Sequence, residues 1–408
     1  MPVSVGLIAG DVDLGVAGKP KSARVAREFF RLPQVEVGSH SYTHPYNWGA
    51  HASPERMLEA AQASSANPLR AYAQRDFDLS RETAGALDVA ATLAPAAKRP
   101  GIYLWSGNTR PFGEAIRATR TYGVRNLNGG DSRFDSDYPS HAYLSALSRQ
   151  IDGERQIYSG NANETIYTAG WTAPFDRFKL LDETLRNTET PRRLKPFNLY
   201  YHMYSGERSE SLAAVKQHLE AARASAVVPI RASHYAAIAD SFFDVSITAA
   251  GPDRWRIANR GALQTVRLDS AATLEPDYGR SSGLLGHTHH AGSLYVALDA
   301  GHDTALLTIA RPGRTTVAGP SRPILVDSRW PLSGLEIGAC GFEVNAQGFG
   351  PGQMTWDGLR PGPYTITAMP NGAAAATLSA DADAHGRLRF AVPADAIGGA
   401  RLAVKCGS

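Results

Sequence analysis

Cysteine is scarce in this chain: Cys340 and Cys406 are the only two in 408 residues. That number excludes a cysteine-rich zinc or disulfide scaffold. Both lie in the C-terminal part, compatible with one disulfide in an oxidising compartment or with two buried thiols. Long apolar runs are missing too, since no stretch reaches about 18 residues, and no transmembrane helix is expected. Neither sign of charge dominates. Lys and Arg number 42 against 39 Asp and Glu, and the basic residues are scattered rather than gathered in a stripe. Nucleic acid and an anionic membrane surface are therefore not expected partners. Met1 to Ile8 has neither a basic leader nor a small-residue cleavage site; it reads as an interior β-strand rather than a signal peptide. No internal repeat stands out.

What is present is the make-up of a globular protein, 43% apolar and 20% charged. A chain of 408 residues exceeds one ordinary core, so two or three domains are expected. Up to about residue 245, short apolar runs alternate with helical segments. Candidate strands are Val3 to Ile8, Val35 to Val37, Ile102 to Trp105, Val124 to Leu127, Asn198 to Tyr201 and Val227 to Ile230. Helix signals fall at Ser22 to Phe30, Ser80 to Leu93, Gly113 to Thr121, Phe175 to Leu185 and Ser209 to Ala224. Ser53-Pro54-Glu55 opens a further helix with a cap and a proline at its first position. This alternation predicts a parallel sheet, open or closed into a barrel.

From Phe243 onward the helical signals stop. Short alternating runs replace them, among them Trp255 to Ile257, Thr265 to Leu268, Ser293 to Leu298 and Ala305 to Ile309, separated by glycine and proline as in antiparallel β structure. A second break, rich in Arg, Gly, Pro and Thr, runs from Pro312 to Pro323 before Ile324-Leu325-Val326. The predicted organisation is an α/β domain over 1–245, a β module over 246–312 and a C-terminal β module over 313–408. The last two also read as one sandwich with a long connection.

The chemistry concentrates at Gly38-Ser39-His40-Ser41-Tyr42-Thr43-His44-Pro45. Val35 and Val37 read as the carboxyl end of a core strand, and Pro45 stops any helix from continuing. In βα barrels that end carries the active site. Zinc accepts imidazole nitrogen, and a catalytic site keeps one position for water. His40 and His44 can thus converge on one ion, with a third protein ligand still to be found. Among 12 histidines such a pair also arises by chance, so its weight comes from its companions.

One companion is His202, which ends the hydrophobic run Leu199-Tyr200-Tyr201 and would face the same mouth. Another is Trp105-Ser106-Gly107-Asn108-Thr109-Arg110. There Trp105 offers a flat face for a sugar ring, and Arg110 either orients a carboxylate or is a surface charge before a helix. Asn126-Leu127-Asn128-Gly129-Gly130-Asp131 either brings amides to hydroxyls or closes a tight turn. Together these fit metal-assisted hydrolysis of an amide: an ion polarises the carbonyl and lowers the pKa of its water to ~7, while His202 protonates the leaving amine.

The Ser-His-Ser-Tyr-Thr-His segment, the strand ending in His202 and the Trp-Ser-Gly loop resemble polysaccharide deacetylases of the NodB type. Ser39 to Trp48, Asn126 to Gly130, Asn163-Glu164, Pro191 to Pro196 and Tyr200 to Gly206 are most similar to the PelA-like deacetylases that modify the Pel exopolysaccharide. The resemblance covers the first 245 residues and extends more loosely through the β tail. It implies an α/β fold, an incomplete distorted (β/α) barrel followed by all-β sandwich-like modules. It further implies a zinc-type divalent metal held by two histidines and an aspartate, a second aspartate as general base, and a histidine as general acid. His40 and His44 take the metal positions and His202 the acid position, with Trp105, Arg110, Asn128 and Tyr204 left to the substrate. The implied substrate is an acetylated amino-sugar exopolysaccharide of the N-acetylgalactosamine or N-acetylglucosamine type. Other exopolysaccharide-secretion proteins are the implied partners, and the periplasm is the implied compartment.

The two aspartates do not map. In the family they occupy an Asp-rich turn after the first barrel strand, whereas Val3 to Ile8 resembles the second. The expectation is a barrel lacking its first strand, in a chain whose start was set late, with impaired activity. Asp11 or Asp13, which also follow a strand, would have to substitute. The rival reading is a non-catalytic polysaccharide-binding or assembly protein. A glycoside hydrolase needs a carboxylate pair that the sequence does not single out. Two features stand apart: Gly286-His287-Thr288-His289-His290, expected in an exposed hairpin loop with opportunistic affinity for transition metals, and the acidic stretch Asp131 to Asp137, expected in a solvated loop.

Overall fold

The computed structural model describes residues 1–53, 76–172, 174–189, 195–310, 322–372 and 374–407. The helix start at Pro54-Glu55, the segment Pro191-Arg192-Arg193-Leu194 and most of the break after Pro312 lie outside the described residues. The chain is mixed α/β and forms two units. One is Pro2–Ser225 with Arg231–Ala239; the other is Asp240–Ser408 with Ala226–Ile230 and Met1. The division falls within the helix Ala232–Asp244.

The first unit is built on four parallel strands, β1 (Val3–Leu7), β2 (Val35–Ser39), β3 (Ile102–Leu104) and β4 (Arg125–Leu127), adjacent in that order. Parallel neighbours require a crossover. The helices Pro20–Arg31, Ala86–Leu93 and Gly113–Tyr122 lie in the three crossovers. Pro20 opens the first where its missing N–H costs nothing. Ala23, Ala26 and Phe30 recur at helical spacing and bury one face in a cluster with Val35 and Val37. Gly123, at φ +92°, ends the third helix in the left-handed conformation. β2 is buried at all five residues, as an interior parallel strand should be.

Two predicted strands, Asn198 to Tyr201 and Val227 to Ile230, join no described sheet. Pro229 lacks the N–H that a ladder needs. The carbonyls of Pro196 and Asn198 accept hydrogen bonds from Asn161 Nδ2, at 2.9 and 3.2 Å, instead of from a neighbouring strand. The hairpin Ser148–Ile151 with Glu154–Ile157 went unpredicted, although Asp152-Gly153 at φ +50° and +78° is its turn.

In the second unit, eleven strands between Thr265 and Cys406 form one sheet, and four between Ser246 and Ala310 another. One core cluster lies among Ile257 to Ile309, and a second among Leu325 to Val404 together with Leu285. The large sheet joins strands from both predicted β modules through one parallel pairing, Gly286 with Leu325. Cys340 and Cys406 form a disulfide across 66 residues, a loop closure that stabilises by roughly 4 kcal/mol on chain-entropy grounds. The histidine cluster is not in a loop: His287, His289 and His290 belong to the strand Leu284–His290, and the turn is Ala291-Gly292. No helix among the described residues is long and apolar enough to cross a membrane.

The Gly286 pairing depends on bare backbone. A Cβ at Gly286 would stand 2.1 and 2.2 Å from the backbone O and N of Leu325, and a neighbouring strand cannot give way as a side chain can. Gly286→Ala is expected to cost about 1–3 kcal/mol or more, read as a lower midpoint in denaturant unfolding. An unchanged midpoint would show that this joint is not a structural constraint.

Candidate functional site

The histidine loop begins where β2 ends. His40 N–H donates to Leu7 O at 2.8 Å, and the bonding continues past β1, from Ala9 N to Ser41 O at 3.0 Å and Gly10 N to Tyr42 O at 2.9 Å. The chain then turns sharply. Ser41 and His44 both have positive φ, +68° and +61°, a conformation that costs non-glycine residues roughly 1–2 kcal/mol each. The loop after β3 clamps this turn: Asn108 N–H donates to Tyr46 O at 2.7 Å, and Ser106 Oγ to Pro45 O at 3.1 Å. Gly107, at φ +58°, permits the approach, since a Cβ there would lie 2.3 Å from Tyr46 O.

A buried carboxylate holds the peptide between the two histidines. Glu82 is fully buried; its Oε2 accepts from Tyr42 N at 3.0 Å and Thr43 N at 2.9 Å, and its Oε1 accepts from Thr43 Oγ1 at 2.8 Å. It sits in a π-helical turn, Arg81–Gly85, leading into Ala86–Leu93. Such turns are frequent at functional sites because the extra residue re-aims a side chain. Burial raises the Glu82 carboxyl, partly offset by these hydrogen bonds and by Arg81. The sequence reading missed Glu82; the only local sign was a glutamate inside an otherwise apolar helical face.

The result is a close pair of imidazoles. The His40 and His44 rings stand 5.0 Å apart, inclined at 64°. Zinc–nitrogen distances of about 2.0–2.1 Å place two imidazole centroids on a tetrahedral ion about 5 Å apart. His40 Nδ1 donates to Leu104 O at 2.8 Å, which fixes the tautomer in which Nε2 carries the lone pair, as outer-shell carbonyls do for ligating histidines. The pair fits two positions of such an ion. Among the described residues no group of three or more His, Cys, Asp and Glu is arranged to hold one. Asp13 is spoken for, accepting from Tyr42 OH and from Gly15 N. Asp11 ends the turn Ala9–Asp11, whose first two residues bond the histidine loop.

His202 caps the turn Met203–Glu207. Its Nδ1 and its backbone N both bond Glu164 Oε1 at 2.8 Å, and Ser205 Oγ donates to the same oxygen at 3.3 Å. Glu164 is fully buried at the start of the short helix Glu164–Tyr167, which Asn163 caps through Thr165 N and Ile166 N. The Tyr204 ring stacks on His202 at 4.7 Å and 6°, with Trp171 edge-on to Tyr204 at 4.6 Å.

Asn128 connects the two halves. Its Nδ2 donates to Trp105 O at 2.7 Å and to Tyr200 OH at 3.0 Å, and the Tyr200 ring lies 5.7 Å from His202. Trp105 in turn follows Leu104, the residue that accepts from His40. Asn128, assigned to substrate by the resemblance, has both of these amino contacts inside the protein, and its Oδ1 accepts from Gly129 N. Trp105 is fully buried against Trp48 and Tyr103, with Nε1 donating to Asn126 Oδ1, so it has no face for a sugar. Arg110 is exposed, and its backbone N bonds Asn108; the structure does not bring it to the histidines. Tyr204, 37% exposed, does stand beside His202. The acidic stretch is a loop in which Asp131 and Asp137 are exposed and Asp135 is buried; Asp135 and Asp137 both bond Arg133, and Asp137 also bonds Arg177.

Compared with known proteins, the chain matches no family model and no curated protein.

Glu82 is testable apart from any activity. Glu82→Ala leaves the Tyr42 and Thr43 amides without their acceptor, at about 1–3 kcal/mol for each buried group; Glu82→Gln keeps an oxygen for them and removes the buried charge. Because the carboxyl is raised from 4.5, the folded state holds its proton more tightly than the unfolded chain. Its stabilising contribution is full below that value and lost as pH rises through the folded value. Unfolding midpoints are expected to fall for the Ala variant, and to shift in favour of the Gln variant over the parent as pH is raised. A Gln variant as damaged as the Ala variant at every pH would rule this out.

Proposed function

We propose that the first unit carries a metal-dependent site for N-deacetylation of an acetylated amino-sugar polysaccharide, built as the distorted (β/α) barrel of the NodB-type deacetylases. One observation carries this reading: of two edge-on imidazoles in the loop after β2, His40 bonds Leu104 O, the next residue's carbonyl bonds Asn128, and Asn128 bonds Tyr200, whose ring lies 5.7 Å from a third imidazole held by a buried glutamate. His40 and His44 would hold a zinc-type ion, which when bound supplies a polarised acetyl carbonyl and an acidified water. Asp11 is the carboxylate whose backbone borders the pair and the candidate for the remaining acidic role.

His202 is the general acid. Glu164 retains the Nδ1 proton and the ring orientation, so the proton delivered to the leaving amine is the one at Nε2, as the carbon–nitrogen bond breaks and acetate departs. Tyr204 covers the ring on one face and restricts water there. The disulfide supports an oxidising compartment, in keeping with a periplasmic setting.

The test combines metal analysis with acetate release from N-acetylated amino-sugar oligomers. Replacing His40 and His44 together with alanine is expected to remove one equivalent of bound zinc. His202→Ala is expected to lower acetate release by a further ~10² or more while leaving the zinc in place, and Asp11→Asn to reduce both. A chain that binds the polymer, with neither zinc nor affinity altered by the double substitution, would instead be a binding or assembly module.

A further inference from the structure

The second unit holds another pair of imidazoles on one face of a strand. Residues two apart in a β-strand point the same way, so His287 and His289 share a face of Leu284–His290 while His290 takes the other. The hairpin register sets His287 opposite Val296 and His289 opposite Leu294, both fully buried, so the two rings border an apolar core. Their centroids are 5.8 Å apart at 89°. Two imidazoles on one ion stand about 5 Å apart at ordinary metal–nitrogen distances, so the rings would have to close by somewhat under 1 Å to share one.

Both rings are oriented by the segment that crosses them. His289 Nε2 donates to Leu274 O at 2.9 Å, and since a carbonyl only accepts, Nδ1 carries the lone pair. His287 Nδ1 meets Tyr278 OH at 2.8 Å; donation to that oxygen leaves the lone pair on Nε2. An oxygen partner on the distal nitrogen is what orients a ligating imidazole. Between Leu274 and Tyr278 lies Glu275, whose charge, like that of Asp357, acts favourably on a cation at His287. Arg322 is the opposing charge, with its guanidinium 4.7 Å from the Tyr278 ring centre.

We propose that His287 and His289 form a second metal site, taking a borderline divalent transition-metal ion such as Ni²⁺ or Zn²⁺ through two imidazole nitrogens, with water completing the shell and Glu275 supplying charge. Imidazole pairs suit these ions and not Mg²⁺ or Ca²⁺, which take oxygen ligands. The site is independent of His40 and His44 and of any catalysis.

Calorimetric titration of the full chain with Ni²⁺ alone tests it. In a chain carrying His40→Ala and His44→Ala, one equivalent is expected to bind still. Adding His289→Ala is expected to weaken it at least about tenfold, while His290→Ala, on the other face, leaves it unchanged. Equal effects of His289→Ala and His290→Ala, or no binding in the first chain, overturn the proposal. Should that chain not fold, the parent is compared with His287→Ala plus His289→Ala: one equivalent fewer supports the site, and equal stoichiometry overturns it.

Discussion

A backbone segment that leaves a buried strand without entering a helix or a ladder must still find partners for its amides and carbonyls. The stretch from Ser39 to Pro45 is such a segment, and the first unit is arranged around meeting that need. The turn after β1 bonds Ser41 and Tyr42, the loop after β3 bonds Pro45 and Tyr46, and Glu82 takes the amides of Tyr42 and Thr43. With three elements supplying partners, the loop keeps positive φ at Ser41 and His44 against their steric cost. Backbone strain of this kind persists only where the surroundings over-determine it.

His202 is held by the same economy of means. A single carboxylate oxygen of Glu164 receives the backbone and the ring of His202 as well as the Ser205 hydroxyl. The ring bond and the backbone bond end on the same oxygen, and that carboxylate stands at the start of the short helix that Asn163 caps. Asn128 serves both halves through its own left-handed backbone, φ +112°, which turns the amide back toward Trp105 and Tyr200. Each contact is a neutral or charge-assisted hydrogen bond of modest net worth. Orientation, more than energy, is what they supply.

Signals carried by neighbouring residues were legible in the sequence. Four parallel strands, the helices between them and the histidine spacing rest on periodicity, caps and turn residues within a dozen positions. What failed was whatever depends on distant partners. An aromatic at a strand end looks the same whether it faces solvent or core, and Trp105 meets Trp48 and Tyr103. Glu82 was invisible because the amides it serves are about forty positions away. Asn198 to Tyr201 has the apolar run of a strand but joins no described sheet, and the Asn198 carbonyl bonds the distant Asn161 amide instead. The His287 cluster was assigned to a loop on polarity alone, although alternation with the turn at Ala291-Gly292 marked it as strand.

The two histidine pairs differ in what the fold spends on them. His287 and His289 come from ordinary alternation on an extended strand, with neither in a strained conformation. Any β-hairpin edge can place two imidazoles this way, and so the pair is compatible with simple ion capture. His40 and His44 lie four apart on a turn with two left-handed non-glycine residues, supported by a buried carboxylate that burial alone would disfavour. Removing either histidine does not relax that turn, since its constraints come from Glu82, β1 and the loop after β3. A conformation maintained at such cost by groups outside the pair is arranged for the direction in which its side chains point. The two pairs thus differ in preorganisation rather than in the count of nitrogens.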